Sequence, residues 1–299
     1  MIRVLHSESL AEKIVANVRK PLKSFWRELS RNAKYLKTGP IPSEEKNRLW
    51  AIQTFADGTV LYLDAYHLMA RGKFYDGWCN LEKAELAFAR LIENPFLKRI
   101  GPLTKDRAQL VALWQSLFPY RHFASPGMRY KKWACSICGV QSTPVEPCGH
   151  VVGRVYAGQL CYRIIYEAEP LEVSLVTDPV QKYSVLHLDY DYSVVQYVLD
   201  HLTSAFHLWD GEWTHKRHSH ANFADRPHDG PCPCASKLRY VECCLLEEGV
   251  RLPHFQMVVR AGATKAGPPS DRLVLRSPSN QVALEGERTF QVNLLRSSL

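Results

Sequence analysis

Eight of the nine cysteines in this 299-residue chain fall into two close groups, and only Cys79 stands apart. The tighter group reads Cys232-Pro-Cys234, eight intervening residues, then Cys243-Cys244. Zn²⁺ takes four soft or borderline ligands in a tetrahedron, and two short chelating pairs joined by one turn supply such a set. Pro233 stiffens the first pair, and residues 237–242 read as one helical turn leading to the second. In a reducing compartment, clustered Cys-x-Cys and Cys-x-x-Cys pairs mean metal far more often than disulfides.

The stretch Cys232-Pro233-Cys234-Ala-Ser236-Lys-Leu-Arg-Tyr240-Val-Glu-Cys243-Cys244 resembles the SEC-C module, the small zinc-binding motif at the C-terminus of the SecA translocation ATPase. Cys232, Pro233, Cys234, Ser236, Tyr240, Cys243 and Cys244 fall on that pattern position by position. Ala235 and Lys237 stand where the pattern has glycine. The resemblance implies a zinc ion on the four thiolates and contact with other macromolecules, as the SecA module makes with a chaperone and the ribosome.

The second group begins with Cys135-Ser-Ile-Cys138-Gly139, two thiolates bracketing a tight turn, and continues with Cys148-Gly-His150 and then Cys161. Cys-x-x-Cys with a later Cys-x-His is the ligand arithmetic of one tetrahedral zinc. Cys135, Cys138, Cys148 and His150 are the expected set. Cys161 is a fifth candidate for four places, either a buried structural thiol or a replacement for His150. Complete protein ligand sets fold a domain, whereas catalytic zinc keeps a position open for water, so both sites read as structural. The block from Cys135 through residues 171–179 is similar to segments of bacterial and phage-related proteins. Residues 172–179 also resemble a stretch of phage prohead proteases, without a Ser/His catalytic set that would carry a protease role.

The formal net charge of +8 favours acidic partners, nucleic acid first among them. Part of the excess lies in residues 19–37, where a solvated helix face explains it at least as well. Aromatic residues beside basic ones, Trp26-Arg27 and Arg129-Tyr-Lys-Lys-Trp133, could stack on exposed bases. No apolar run approaches the roughly 20 residues needed to cross a bilayer, and the first residues lack the apolar core of a signal peptide. The expectation is a cytoplasmic protein with no membrane contact.

Apolar residues recur at helical spacing over 7–36, with Ser7 or Ser9 as a cap and Pro21 bending or dividing the helix. Gly39-Pro40-Ile41-Pro42 is a break. Ser43 then reads as the N-cap of a helix to Arg71, with Gly58 as its weak point. Further helices are expected over 75–93 and 104–117. A tetratricopeptide-like hairpin has no second copy at a fixed period, so a helical bundle is the better reading. Strands are expected at 162–166 and 171–177, a helix over 192–208, and a polar His-rich loop over 211–231. Three last strands are expected near 255–260, 272–275 and 289–294.

These readings add to an α+β chain in which a helical N-terminal domain precedes two small zinc-stabilised modules with short strands. The expected division is 1–128 helical, 129–190 zinc-ribbon-like, 191–230 helix and His-rich loop, and 231–299 the SEC-C-like module with its strands. The function that follows is docking, with two structural zinc modules presenting rigid surfaces to a protein partner or to nucleic acid; the chain could also be one subunit of a larger assembly. The rival reading is an enzyme. It would be either a metal-dependent nuclease with a degenerate HNH-like site around His150, or a hydrolase using His215, His218, His220, Asp225 and His228. A phage-related or antiphage role belongs to the same rival reading.

Overall fold

Five helices fill the first third of the chain: α1 (His6–Ala16), α2 (Lys23–Lys37), α3 (Ser43–Met69), α4 (Phe74–Glu93) and α5 (Gly101–Gln115). The computed structural model describes residues 6–142, 146–186, 190–259 and 273–274. Consecutive helices pack against one another with α3 at the centre, and the buried aromatics form a connected chain. Trp26 meets Phe55 at 5.9 Å between ring centroids, and Phe55 meets Phe88 at 6.0 Å. The Trp114 indole N–H donates to the buried Tyr62 hydroxyl at 3.0 Å, so the largest polar-tipped rings leave no polar group stranded. Gly58 lies where α4 crosses α3. A Cβ there would come within 3.0 Å of the Phe88 ring, so the expected weak point of the helix is its point of closest packing.

Pro21 divides the expected first helix outright, since α1 stops at Ala16 and α2 resumes at Lys23. Helix capping also differs from the sequence reading. Ser43 is the first residue of α3 and Pro42 occupies the cap position. Ser7 does not accept a cap bond. Its amide and its hydroxyl both donate to the buried Glu45 carboxylate at 2.8 Å, which brings negative charge from α3 to the N-terminus of α1.

After α5 the chain forms a long antiparallel ribbon of β1 (Phe123–Cys135) and β5 (Arg163–Val176), with the short β2 (Gln141–Ser142) on the other side of β1. Strand β1 has no counterpart in the sequence reading. The two strands expected at 162–166 and 171–177 are one strand running through Pro170. The register shifts three times, between Gly127 and Met128, Tyr130 and Lys132, and Lys132 and Trp133. A small hairpin, β3 (Val155–Tyr156) with β4 (Gln159–Leu160), lies between the two ribbon strands in sequence.

The ribbon and the helices belong to one compact unit, and residues 128 and 129 fall inside β1. Hydrogen bonds at two places hold them together. At the hairpin, the Asn94 side-chain amide donates to the Gly153 carbonyl at 2.9 Å and Arg154 donates to the Glu93 carbonyl at 2.8 Å. Beyond β5, the Lys182 ammonium donates to both Glu85 carboxylate oxygens at 2.7 Å, and the Trp78 indole donates to the Lys182 carbonyl at 2.6 Å.

The second unit starts at residue 191. It holds α6 (Ser193–His201) and a three-stranded antiparallel sheet of order β6 (Trp209–His218), β7 (Val250–Val259), β8 (Leu273–Val274). Strand β6 occupies much of what reads as a His-rich loop. The helix expected over 192–208 stops at His201, and the following turn buries Leu202, Ala205 and Phe206. The strand expected at 289–294 lies outside the described residues. The whole is a mixed α+β chain with a helical first part and a Cys-rich part of short strands.

Candidate metal centres

Each cysteine group comes together in space. The ligand atoms of Cys135, Cys138, Cys148 and His150 all lie within 4.8 Å of one another, and so do the four sulfurs of Cys232, Cys234, Cys243 and Cys244. Among the described residues no further such group exists. All nine cysteines are free thiols.

The first centre is built by the end of the ribbon. Strand β1 delivers Cys135, and the chain turns at once to start β2. The turn is closed by the Gly139 amide donating to the Cys135 carbonyl at 2.9 Å and the Cys135 amide donating to the Val140 carbonyl at 3.0 Å. Its amides point inward. The Ile137 N–H donates to the Cys135 sulfur at 3.4 Å. Burial raises the Cys135 thiol pKa, but hydrogen bonds from the Cys138 and Ile137 backbone amides, together with those from the Cys148 and Cys138 thiols, bring the group down to about 7. Cys148 is lowered by the backbone and side-chain N–H groups of His150. Both effects favour the thiolate, the form a metal binds.

His150 closes the set, its Nδ1 standing 3.8 Å from the Cys148 sulfur. The ring meets the edge of Tyr156 at 4.7 Å and 90°, and the Tyr156 hydroxyl accepts from the Val151 amide at 3.0 Å. The β3–β4 hairpin thus fixes the histidine, and the helices fix the hairpin. Its turn carries positive φ at Ala157 (47°) and Gly158 (78°), and the Gly158 amide donates to the Asn47 side chain at 2.7 Å. A Cβ on Gly158 would sit 2.9 Å from the Lys46 carbonyl oxygen, so only glycine fits both the turn and the contact.

Cys161 stands outside the four-residue group but touches it, 3.8 Å from the Cys135 sulfur. It is buried, and burial together with the Cys135 side chain pushes its thiol up to about 11. Its amide donates to the Arg154 carbonyl and its carbonyl accepts from the Gly153 amide, which locks it into the base of the hairpin.

The second centre sits in a core of few side chains: Phe223, Tyr240, Val250 and the cysteines themselves, with half-buried Leu245 and Leu252 packed against them. The sulfurs of Cys234 and Cys232 are 3.2 Å apart, those of Cys234 and Cys243 3.6 Å, and those of Cys243 and Cys244 4.0 Å. A disulfide needs about 2.05 Å. A tetrahedron with metal–sulfur bonds of about 2.3 Å has edges of about 3.8 Å. The spacing is that of co-ligands. Burial raises the Cys234 thiol, but the Ser236 hydroxyl and the Cys232 thiol lower it more, to about 7, while burial pushes Cys244 up to about 12.

Ala235 and Lys237 both have left-handed backbone, at φ 59° and 67°. His220 is a clamp on this module, since one ring nitrogen bonds the Tyr240 hydroxyl at 2.6 Å and the other bonds the Glu247 carbonyl at 2.9 Å. No local spacing signals that role, because the partners are 20 and 27 residues away in sequence.

The residues of the enzyme reading are placed differently. His150 belongs to a group of four protein ligands, which leaves a tetrahedral ion no position for water. His215 and His218 lie on β6 and pair with Pro253 and Val250 of β7. With His220, Asp225 and His228 they join no metal-ligand group among the described residues. His254 is buried on β7, across from Thr214.

Comparison with family models, with curated proteins and with solved structures finds no match to this chain. Two clusters able to hold metal ions, on a mixed α+β scaffold, are therefore what the fold and the sites define. Among the described residues no helix is long and apolar enough to cross a membrane.

Proposed function

We propose that the chain is an interaction protein whose two docking modules are held in shape by structural zinc ions, one on Cys135, Cys138, Cys148 and His150, the other on Cys232, Cys234, Cys243 and Cys244. The observation that carries the reading is the mutual approach of four ligand atoms within 4.8 Å in each group. Sulfur and imidazole donors in closed sets of four suit zinc in a structural role. The left-handed residues Ala235 and Lys237 support the SEC-C-like reading of the second module, since they keep the backbone that glycine at those places would favour.

The second module presents Leu238, Val241 and Leu246 to solvent, Leu246 at 77 % exposure, with Lys237 beside them. A closed ion with an apolar and basic rim is suited to a macromolecular partner, protein first and nucleic acid second. The test is affinity capture of the zinc-loaded protein from its source cells, with the captured molecule identified by mass spectrometry and rebound in purified form. Leu238→Asp with Leu246→Asp is expected to abolish rebinding while the zinc content stays unchanged. Rebinding that survives the double substitution would remove this module from the docking reading. If nucleic acid is the partner, affinity for purified RNA or DNA would fall steeply as salt rises.

A further inference from the structure

The first centre gathers more ligand-type side chains than a tetrahedral ion takes. Cys135, Cys138, Cys148 and His150 make the set of four, and the Cys161 sulfur lies 3.8 Å from that of Cys135. The backbone keeps this pair together. Cys135 is the partner of Arg163 in the ribbon. The Ser136 amide donates to the Tyr162 carbonyl at 3.0 Å, and the Tyr162 amide donates to the Ser136 hydroxyl at 2.9 Å, so the residues that follow the two cysteines are tied to each other. Cys161 is held in turn by its bonds to Gly153 and Arg154 at the base of the hairpin. The other sulfurs near Cys135 belong to its co-ligands, whereas that of Cys161 is free to react. The second unit has no such spare thiol, because all four of its cysteines are in the second group.

We infer that Cys135 and Cys161 form an oxidation site, which closes into a disulfide on exposure to a hydroperoxide and takes Cys135 out of the ligand set. The inference rests on the zinc reading of this centre. The Cys135 thiolate attacks the outer oxygen of hydrogen peroxide; the O–O bond breaks, hydroxide leaves, and a sulfenic acid stands on Cys135. The Cys161 sulfur then displaces the hydroxyl. The S–S bond forms, the S–O bond breaks, and the hydroxyl departs as water with the Cys161 proton. Two electrons have passed from the two sulfurs to the peroxide. The sulfurs close from 3.8 Å to about 2.05 Å. The oxidant arrives at the end of the ribbon, where Cys138 is exposed and Cys135 keeps 5 % of its surface open, against 2 % for Cys161. Cys138, Cys148 and His150 are then three donors, one short of a closed structural set. The hairpin stays anchored to the helices through Asn47 and Asn94, and the new bond anchors Cys135 to the hairpin, so the end of the ribbon keeps its place while three ligands are freed. Disulfides in reducing compartments are usually transient and catalytic or redox-sensing, and this one is reversible by a thiol.

The test treats the full-length, zinc-loaded chain with hydrogen peroxide. Released zinc is followed with a chromogenic chelator, and disulfides are mapped by non-reducing digestion and mass spectrometry. A Cys135–Cys161 bridge is expected, with loss of one ion per chain and its recovery when dithiothreitol and zinc are added. Cys161→Ala is expected to keep the resting zinc content and to slow release of that ion about tenfold, since the positioned second sulfur is gone. A map that joins Cys135 to Cys138 or Cys148 and leaves Cys161 free would overturn the inference, as would release from Cys161→Ala as fast as from the wild type. Zinc missing from the untreated chain would count against the zinc reading, and the wild-type map, which needs no variant, would still decide the pairing of Cys135 with Cys161.

Discussion

Ala235 and Lys237 give the sharpest test of the second centre, because each holds a left-handed backbone that an L-residue with a Cβ adopts at a cost of about 1–2 kcal/mol. Replacing either by glycine removes that cost and adds roughly 0.5–1 kcal/mol of unfolded-state entropy. The net expectation is a gain of about 0.5–1 kcal/mol per site, or about two- to fivefold tighter retention of the metal by the folded module. The Lys237 side chain is exposed, so no packing is lost with it. Lys237→Ala keeps the strain and is expected to be neutral, which separates backbone relief from loss of charge. The two gains need not add, because the residues share one loop around Ser236. The assay is competition with a metal chelator, followed by denaturant unfolding of the zinc-loaded protein. Weaker metal retention in Ala235→Gly and Lys237→Gly, or a Lys237→Ala effect as large as Lys237→Gly, would refute the reasoning.

Gly211→Ala is expected to destabilise the second unit by about 1–3 kcal/mol, since a Cβ there would lie 2.3 Å from Cζ of the buried Phe255 ring; a thermal melt followed by circular dichroism measures it. Cys161→Ser is expected to leave the metal stoichiometry unchanged, as elemental analysis will show, because the thiol lies behind the ligand set; loss of one ion would make Cys161 a ligand. Tyr240→Phe removes the hydroxyl that His220 holds, and the loss is expected to cost about 1–2 kcal/mol in denaturant unfolding.

The two metal centres could be read from sequence because cysteine spacing encodes them directly: a chelating pair must be close in the chain to share one ion. The choice between His150 and Cys161 could not, since it depends on how the hairpin turns, and that turn is set by contacts to Asn47, Asn94 and Glu93 on distant helices. The helices of the first part showed in their apolar period, with errors confined to caps and to Pro21, whereas the helix expected over 192–208 ends at His201. Strand β1 was hidden by Pro126, Gly127 and the basic run after Met128, residues that read as loop until β5 supplies their partners. Strand β6 was hidden because its buried positions are spread over Trp209 and Gly211 among polar neighbours, so alternation is faint. His220 looked like surface histidine for the same reason: its worth comes from a tyrosine brought near by the fold.

The account rests on two metal ions holding segments with too little apolar core to fold without them. Native mass spectrometry of the purified, undenatured chain tests that directly. Two zinc ions per chain are expected, falling to one in Cys135→Ser with Cys138→Ser and to one in Cys234→Ser with Cys243→Ser, each with a lowered melting temperature. A chain that carries no zinc, or that melts unchanged after chelation, would contradict it.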